Sequence, residues 1–266
     1  MKTVVVTGST RGIGFGLAEN FLKRGCRVVV SGRARETIDG VVAKLRDAHE
    51  PELVAGRACD IRSGEDLNGL WEFARETFGR VDVWINNAGI SITRAPLWEQ
   101  SEADIVSIVD TNLTGVLLAN RIVMAGMKEQ GGGQIWNMEG FGSNGMTQPG
   151  LAAYGATKRA VNYLSAALRK DAAGTGVQVC TLSPGIVVTD LLIGDYDAGS
   201  EEWRKARRFF NILGDSVETV TPWLVDGILK ANKDGAKVAW LTGGRIAWRF
   251  LAARFRKRDL FAQAGV

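Results

Sequence analysis

Short runs rich in valine and isoleucine recur along this chain, and most are followed by a longer stretch with helical spacing of apolar residues. Thr3 to Thr7, Arg27 to Ser31, Leu53 to Cys59, Val81 to Ile85, Gly133 to Asn137, Val177 to Leu182 and Lys237 to Leu241 read as strands. Ile13 to Arg24, Thr37 to Ala48, Ser63 to Phe78, Ala103 to Lys128 and Ala152 to Ala172 read as helices. Strands that are apolar throughout are buried on both faces, and a helix between successive strands carries the chain back to run parallel. The pattern predicts an α/β fold with a doubly wound, parallel, seven-stranded sheet and helices on both faces. The 266 residues, 45% apolar and 23% charged, can bury a large core. With no repeat, linker or low-complexity tract, one domain is expected over residues 1–266.

The first strand runs into Thr7-Gly8-Ser9-Thr10-Arg11-Gly12-Ile13-Gly14, which opens the first helix. Glycines here permit a tight turn and a close backbone approach, and the exposed N–H groups of a helix start hold a pyrophosphate. This is the setting of a Rossmann-type nucleotide site, although the spacing is GxxxGxG and not the commoner GxGxxG. The second strand ends Ser31-Gly32-Arg33, with no acid where one would take the ribose hydroxyls of NAD. Arg33, with Arg11 in the turn, suits the 2′-phosphate of NADPH/NADP+.

Tyr154-Gly155-Ala156-Thr157-Lys158 places a phenol and an ammonium on one helix face. A neighbouring cation favours the phenolate and brings tyrosine toward acid–base work near neutral pH. Further along stand Asp60 after the third strand, Asn86-Asn87-Ala88-Gly89 after the fourth, Asn112 in the long helix, and Pro184-Gly185 followed by Thr189 after the sixth.

Taken together, these motifs resemble the short-chain dehydrogenase/reductase family over nearly the whole chain. The resemblance implies an NADP-dependent oxidoreductase acting on a carbonyl or its alcohol. It implies that Gly8, Ser9, Thr10, Arg11, Gly12, Ile13 and Gly14 cradle the cofactor, with Asp60 and Ile61 at the adenine and Asn87, Ala88 and Gly89 alongside it. Pro184, Gly185, Val187 and Thr189 would meet the carboxamide. Tyr154 would protonate the substrate oxygen, Lys158 would also bind the ribose, and Asn112 would position a water behind Lys158. A homo-oligomer, dimer or tetramer, is part of the same implication.

The departure lies at the catalytic serine. The family's fifth strand usually ends in a pattern like N-x-S-S, whereas here it reads Asn137-Met138-Glu139-Gly140-Phe141-Gly142-Ser143. Ser143 swinging in, Glu139 serving as an acid, Glu139 as a strand-end carboxylate facing solvent, and a serine simply lost are the readings this spacing leaves open. The stretch is similar to the chlorophyll b reductase branch, whose members reduce the 7-formyl group of chlorophyll b or its chlorophyllide with NADPH. A large, apolar carbonyl substrate follows from that likeness. The alternatives are a general ketone, aldehyde or 3-oxoacyl reductase, and a non-catalytic NADPH-binding sensor.

Gly194 to Leu213 carries Trp203, Phe209, Phe210 and Leu213, with Gly194 and Gly199 as hinges, and reads as a lid (about 190–215) with an aromatic underside. From about 245 to 266 the chain is basic and aromatic; Trp248, Leu251 and Phe255 fall on one helical stripe with the arginines elsewhere. Such a helix lies on a membrane surface or packs on a subunit. Scattered Cys26, Cys59 and Cys180 and the lone His49 predict no metal site, and a net charge of +4 does not call for nucleic acid. Met1-Lys2 leads straight into a strand without a leader pattern, so the expected location is cytoplasmic, or peripheral to a membrane through the last helix.

Overall fold

The computed structural model describes residues 1–194, 196, 199–255 and 258–261. In chain order the elements are β1 (Thr3–Val6), α1 (Gly12–Leu22), β2 (Arg27–Gly32), α2 (Arg35–Ala48), β3 (Val54–Ala58) and α3 (Gly64–Phe78). Next come β4 (Val83–Asn86), α4 (Glu102–Val109), α5 (Gly115–Glu129), β5 (Gly133–Met138), α6 (Ala152–Asp171) and β6 (Val177–Ser183). The last part holds β7 (Ile186–Val187), α7 (Asp190–Ile193), α8 (Glu201–Leu213), β8 (Gly214–Asp215), α9 (Val217–Lys230), β9 (Lys237–Ala239) and α10 (Gly243–Ala252).

Seven strands form one parallel sheet in the order β3-β2-β1-β4-β5-β6-β9. The alternation along each strand sorts the core into two layers. Val4, Val6, Val28, Val30 and Trp136 point to the face covered by α1, α2 and α9. Val5, Val29, Trp84, Ile135 and Val179 point to the face covered by α3, α5 and the end of α6. This is the doubly wound Rossmann arrangement, and the strand order reverses between β1 and β4, where such sheets open a crevice.

Three features differ from the sequence reading. The long helix is interrupted at residues 110–114 by a π turn with Asn112 buried inside it. The helical stretch Glu102–Glu129 is apolar enough by length and composition to cross a membrane. One side of it, however, goes into the core: Ile108, Val116, Ile122, Val123 and Met127 are buried, whereas Val106 and Leu117 are exposed. Second, α9 completes one face of the sheet with Val220, Leu224, Val225 and Ile228, although Pro222 and its neighbouring threonines hide the helical period. Third, Arg249 and Arg258 of the basic tail turn inward. Buried Asp215 pairs with Arg249 (2.6 Å) and Arg258 (2.9 Å) and accepts from Trp240 Nε1 at 2.6 Å. Trp248, Leu251 and Phe255 are exposed; Arg256, Lys257 and the tail beyond 261 lie outside the described residues.

A buried polar network locks α6 to the sheet. Asn137 Oδ1 on β5 accepts from Asn86 Nδ2 (2.8 Å) on β4 and from Asn120 Nδ2 (3.0 Å) on α5. Asn137 Nδ2 donates to Ser165 Oγ (3.0 Å) on α6, and Trp84 Nε1 donates to Asn86 Oδ1 at 2.8 Å. Both amide atoms of Asn137 are therefore satisfied with no exposure to water. Removing it leaves Asn86 Nδ2 without a partner and takes one partner each from Asn120 and Ser165. Asn137→Ala is expected to lower unfolding free energy by about 1–3 kcal/mol or more, measured by urea denaturation, and to loosen α6 in hydrogen exchange before the rest of the sheet.

Candidate active site

At the reversal point the C-terminal strand ends open onto a cavity of about 560 Å³. Its floor is the glycine turn. Gly8 and Gly12 adopt positive φ (62° and 54°), a region that suits glycine. A Cβ on Gly8 would stand 2.8 Å from the Ala88 backbone, and one on Gly14 would strike the Gly8 carbonyl and Asn87 Nδ2. Asn87 Nδ2 donates to the carbonyls of Thr7 (2.8 Å) and Gly8 (3.0 Å), so it holds the turn from beneath. Unlike α3, α4, α8, α9 and α10, α1 has no side-chain cap at its start. Its first N–H groups and dipole are left for an anion. A stripped backbone wall beside an uncapped helix start fits the pyrophosphate of a dinucleotide.

Arg33, Asp60, Ile61 and Arg62 line the far end of the cavity. Asp60 is gripped by Arg62, with Nη2 to Oδ2 at 2.6 Å and Nε to Oδ1 at 3.0 Å. That hydrogen bonding holds the Asp60 carboxyl below its ordinary range. Arg11 pairs with Asp190 at 3.1 Å, both well exposed. Arg33 makes no ion pair among the described residues. Arg62, which the motif reading did not single out, neutralises Asp60, whose carboxyl also feels the Arg33 charge.

At the other end stand Tyr154 and Lys158, one turn apart on α6. Lys158 is buried, with Nζ 3.4 Å from the Met138 carbonyl and 5.8 Å from the Tyr154 ring centre. Burial pushes its ammonium down from the ordinary 10.5 to about 8. Behind it, Asn112 is tied through both amide atoms to Ile90, accepting from its N–H (2.8 Å) and donating to its carbonyl (2.9 Å). A Cβ on Gly89 would lie 3.2 Å from Asn112 Oδ1 and 3.8 Å from Lys158 Nζ, so nothing but backbone separates these groups. The π turn that holds Asn112 is the kind of widened turn found at functional sites.

Gly140 explains the space left by the serine. A Cβ there would stand 2.5 Å from the Tyr154 hydroxyl and 3.2 Å from Lys158 Cδ and Cε. The phenol thus lies over the bare backbone of residue 140. Ser143 does not replace the missing hydroxyl, because its Oγ accepts from Gly140 N (3.0 Å) and donates to the Lys158 carbonyl (3.3 Å). It is buried and lies off the cavity wall. Glu139 is neither in solvent nor free as an acid: its buried carboxylate pairs with Lys237 (2.6 Å) and accepts from Asn162 (3.1 Å).

The remaining expected cofactor residues line the cavity, with the exception of Ser9. Ser9 Oγ, fully buried, donates to Val6 O (2.7 Å) and accepts from Ser31 N (2.9 Å), tying β1 to β2 under the turn. None of the lid residues Trp203, Phe209, Phe210 and Leu213 lines the cavity. Trp203 and Phe210 are buried against Phe261 in a cluster of their own, and from this region Leu191 and Leu192 reach the cavity. Sequence reasoning also passed over Arg94 and Ser91 on the substrate side; nothing in their local pattern marks them.

The fold and this site define a nicotinamide-dependent oxidoreductase. The family model for short chain dehydrogenases matches residues 2–197, and the chain belongs to that family. Among its relatives is the probable chlorophyll(ide) b reductase NYC1 of Oryza sativa, 36% identical over 280 residues, 99% of this chain and 54% of the relative. Another is the chlorophyll(ide) b reductase NOL of Arabidopsis thaliana, 37% identical over 249 residues, 90% of this chain and 70% of the relative. The chain spans about half the length of NYC1. Both relatives are chloroplastic, which overturns the cytoplasmic expectation. A serine dehydrogenase complexed with NADP+ superposes with TM-score 0.76 at 25% identity, covering 89% of this chain and 94% of the other. A 3-ketoacyl-(acyl-carrier-protein) reductase from Brucella melitensis complexed with NADH gives 0.75 at 27%, covering 92% and 98%.

Two outcomes follow from the Lys158–Tyr154–Gly140 packing. The folded pKa of Lys158 is depressed, so its buried charge lowers stability fully below pH 8, and this cost fades as pH rises toward 10.5. In cofactor-free protein, Lys158→Met should therefore melt higher than wild type at pH 7, with the advantage shrinking between pH 8 and 10.5. Gly140→Ser, which installs the family's usual residue, should lower turnover, roughly 10-fold or more, because the new Cβ displaces the phenol; steady-state kinetics read this directly.

Proposed function

We propose that this protein is an NADPH-dependent reductase of a bulky planar formyl compound, the 7-formyl group of chlorophyll b or its chlorophyllide. The observation that carries the reading is the Tyr154 hydroxyl set over Gly140, beside Lys158, in a cavity whose far end holds an arginine without an ion pair. Identity of 36–37% to chlorophyll(ide) b reductases supports this choice of substrate. With no side chain at 140, the phenol settles against bare backbone, and no second hydroxyl stands beside it on that wall.

Each site residue then has a task. The uncapped start of α1 and the glycine turn hold the pyrophosphate; Arg33, with Arg11 at the rim, receives the 2′-phosphate. Asp60 and Ile61 border the adenine, and Pro184, Gly185, Val187 and Thr189 the nicotinamide end. When bound, NADPH supplies a hydride to the carbonyl carbon. Tyr154 donates its phenolic proton to the carbonyl oxygen, so that C=O becomes CH–OH with one hydride and one proton added. The Lys158 ammonium, charged below pH 8, stabilises the phenolate left behind. Asn112, held in its π turn, leads protons from solvent toward Lys158. Glu139 and Ser143, engaged in the structural contacts described above, take no part in the reaction.

Incubation with NADPH and chlorophyllide b should convert the formyl-bearing chromophore to its hydroxymethyl product, followed by absorption spectroscopy. No spectral change alongside turnover of a small ketone or 3-oxoacyl thioester would reject the tetrapyrrole substrate. Tyr154→Phe should reduce the rate by several orders of magnitude with NADPH binding nearly unchanged. Arg33→Ala should remove most of the preference for NADPH over NADH, about 1.5–3 kcal/mol, measured as the ratio of dissociation constants; equal affinities in the wild type would overturn the cofactor assignment.

A further inference from the structure

Arg94 lies in the loop between β4 and α4 and lines the same cavity as Tyr154, Phe141 and Leu151. Its guanidinium stacks over the Tyr196 ring at 4.6 Å. Tyr196 in turn packs on Trp203 (5.4 Å) and Phe210 (5.9 Å), rings anchored in the buried α8 cluster. The backbone of Gly150, at φ 77°, closes in from the opposite loop; a Cβ there would stand 3.3 Å from Arg94 Cβ. The side chain is thus gripped along one face and stiffened. Nevertheless its Nε is buried with no hydrogen-bond partner, and no acid pairs with it among the described residues.

The side chain as a whole is half-buried, so a guanidinium held in place at the cavity with no acid beside it is set to take an anionic group from a ligand. The planar edge of a guanidinium matches a carboxylate, which it binds in two parallel hydrogen bonds. The cofactor's anionic groups have their own receptors at α1 and Arg33, on the other side of the glycine turn. We infer that Arg94 is a specificity residue that engages a carboxylate on the substrate. This deepens the reductase reading, on which it rests for the choice of pigment. On that reading the preferred substrate is the free-acid pigment, chlorophyllide, whose propionate is unesterified, and not the phytyl ester.

The test compares acid with ester at a constant carbonyl. NADPH oxidation is measured with chlorophyllide b and its methyl ester, and with 4-formylbenzoate and its methyl ester, for wild type, Arg94→Gln and Arg94→Lys. NADPH dissociation constants and thermal melts of all three proteins are recorded alongside. Wild type should prefer each acid over its ester by on the order of 10-fold or more in kcat/KM, carried by KM. Arg94→Gln should bring the acid down to the level of the ester while ester kinetics and NADPH affinity stay put, and Arg94→Lys should recover part of the preference. Equal handling of acid and ester by wild type, an equal loss on both in Arg94→Gln, or weakened NADPH binding would overturn the assignment. Acid preference in the small pair with neither tetrapyrrole reduced would sink the pigment reading and leave this one standing. Equal turnover of both tetrapyrroles would do the reverse, and no turnover of any of the four compounds overturns both.

Discussion

The carboxamide of Asn137 is the joint on which the site hangs. It sits on the strand that ends one residue before Glu139 and Gly140, and it is tied to β4, α5 and α6 at once. Each of those elements delivers one wall of the reaction site. From β4 come Asn87 to Gly89, and the helix that becomes α5 brings the π turn with Asn112; α6 contributes Tyr154 and Lys158. A hydrogen bond made without water is directional and costly to break, so the network sets the rotation of α6 against the sheet in a way that apolar packing alone does not. That rotation puts the Tyr154 hydroxyl over residue 140.

Once the phenol lies there, the identity of residue 140 ceases to be free. Any larger residue would push the phenol aside, because the hydroxyl occupies the volume where a side chain would begin. The loop that follows is folded back by Ser143, which uses its hydroxyl on Gly140 N and the Lys158 carbonyl. Glu139 is drawn to the opposite side, to Lys237 on the sheet edge and Asn162 on α6. The loss of the family's serine is therefore part of a consistent rearrangement. Two neighbouring polar residues have been assigned to structure, and the site keeps the tyrosine, the buried lysine and the asparagine.

The second half of the molecule is organised by a different pair of contacts. Asp215, buried, gathers Arg249, Arg258 and Trp240, which pins the C-terminal segment to the end of the sheet. Trp203, Phe210 and Phe261 fill the space between that segment and α8. From this assembly Leu192 lines the cavity, and the Tyr196 ring supports Arg94. The aromatic residues of the lid segment thus shape the substrate side indirectly, by holding a cation in place.

The sequence by itself determined the architecture and the cofactor half. Strand and helix periodicities differ sharply, and a glycine turn between β1 and α1 works through backbone atoms that need no partner from afar. The Tyr154–Lys158 pair was legible for the same reason, since spacing along one helix places both groups on one face. What only the tertiary structure decided is where long side chains end. Glu139, Ser143, Ser9 and Arg249 carry the same chemistry whether they face a ligand or a buried partner, and their partners lie up to a hundred residues away in sequence, as Lys237 does from Glu139. Likewise α9 was obscured by Pro222, and the π turn at 110–114 follows from packing, not from a change in periodicity. Arg94 is one arginine among many in the sequence; its stacking on Tyr196 and its buried, unanswered Nε exist only because two loops and the α8 cluster meet around it.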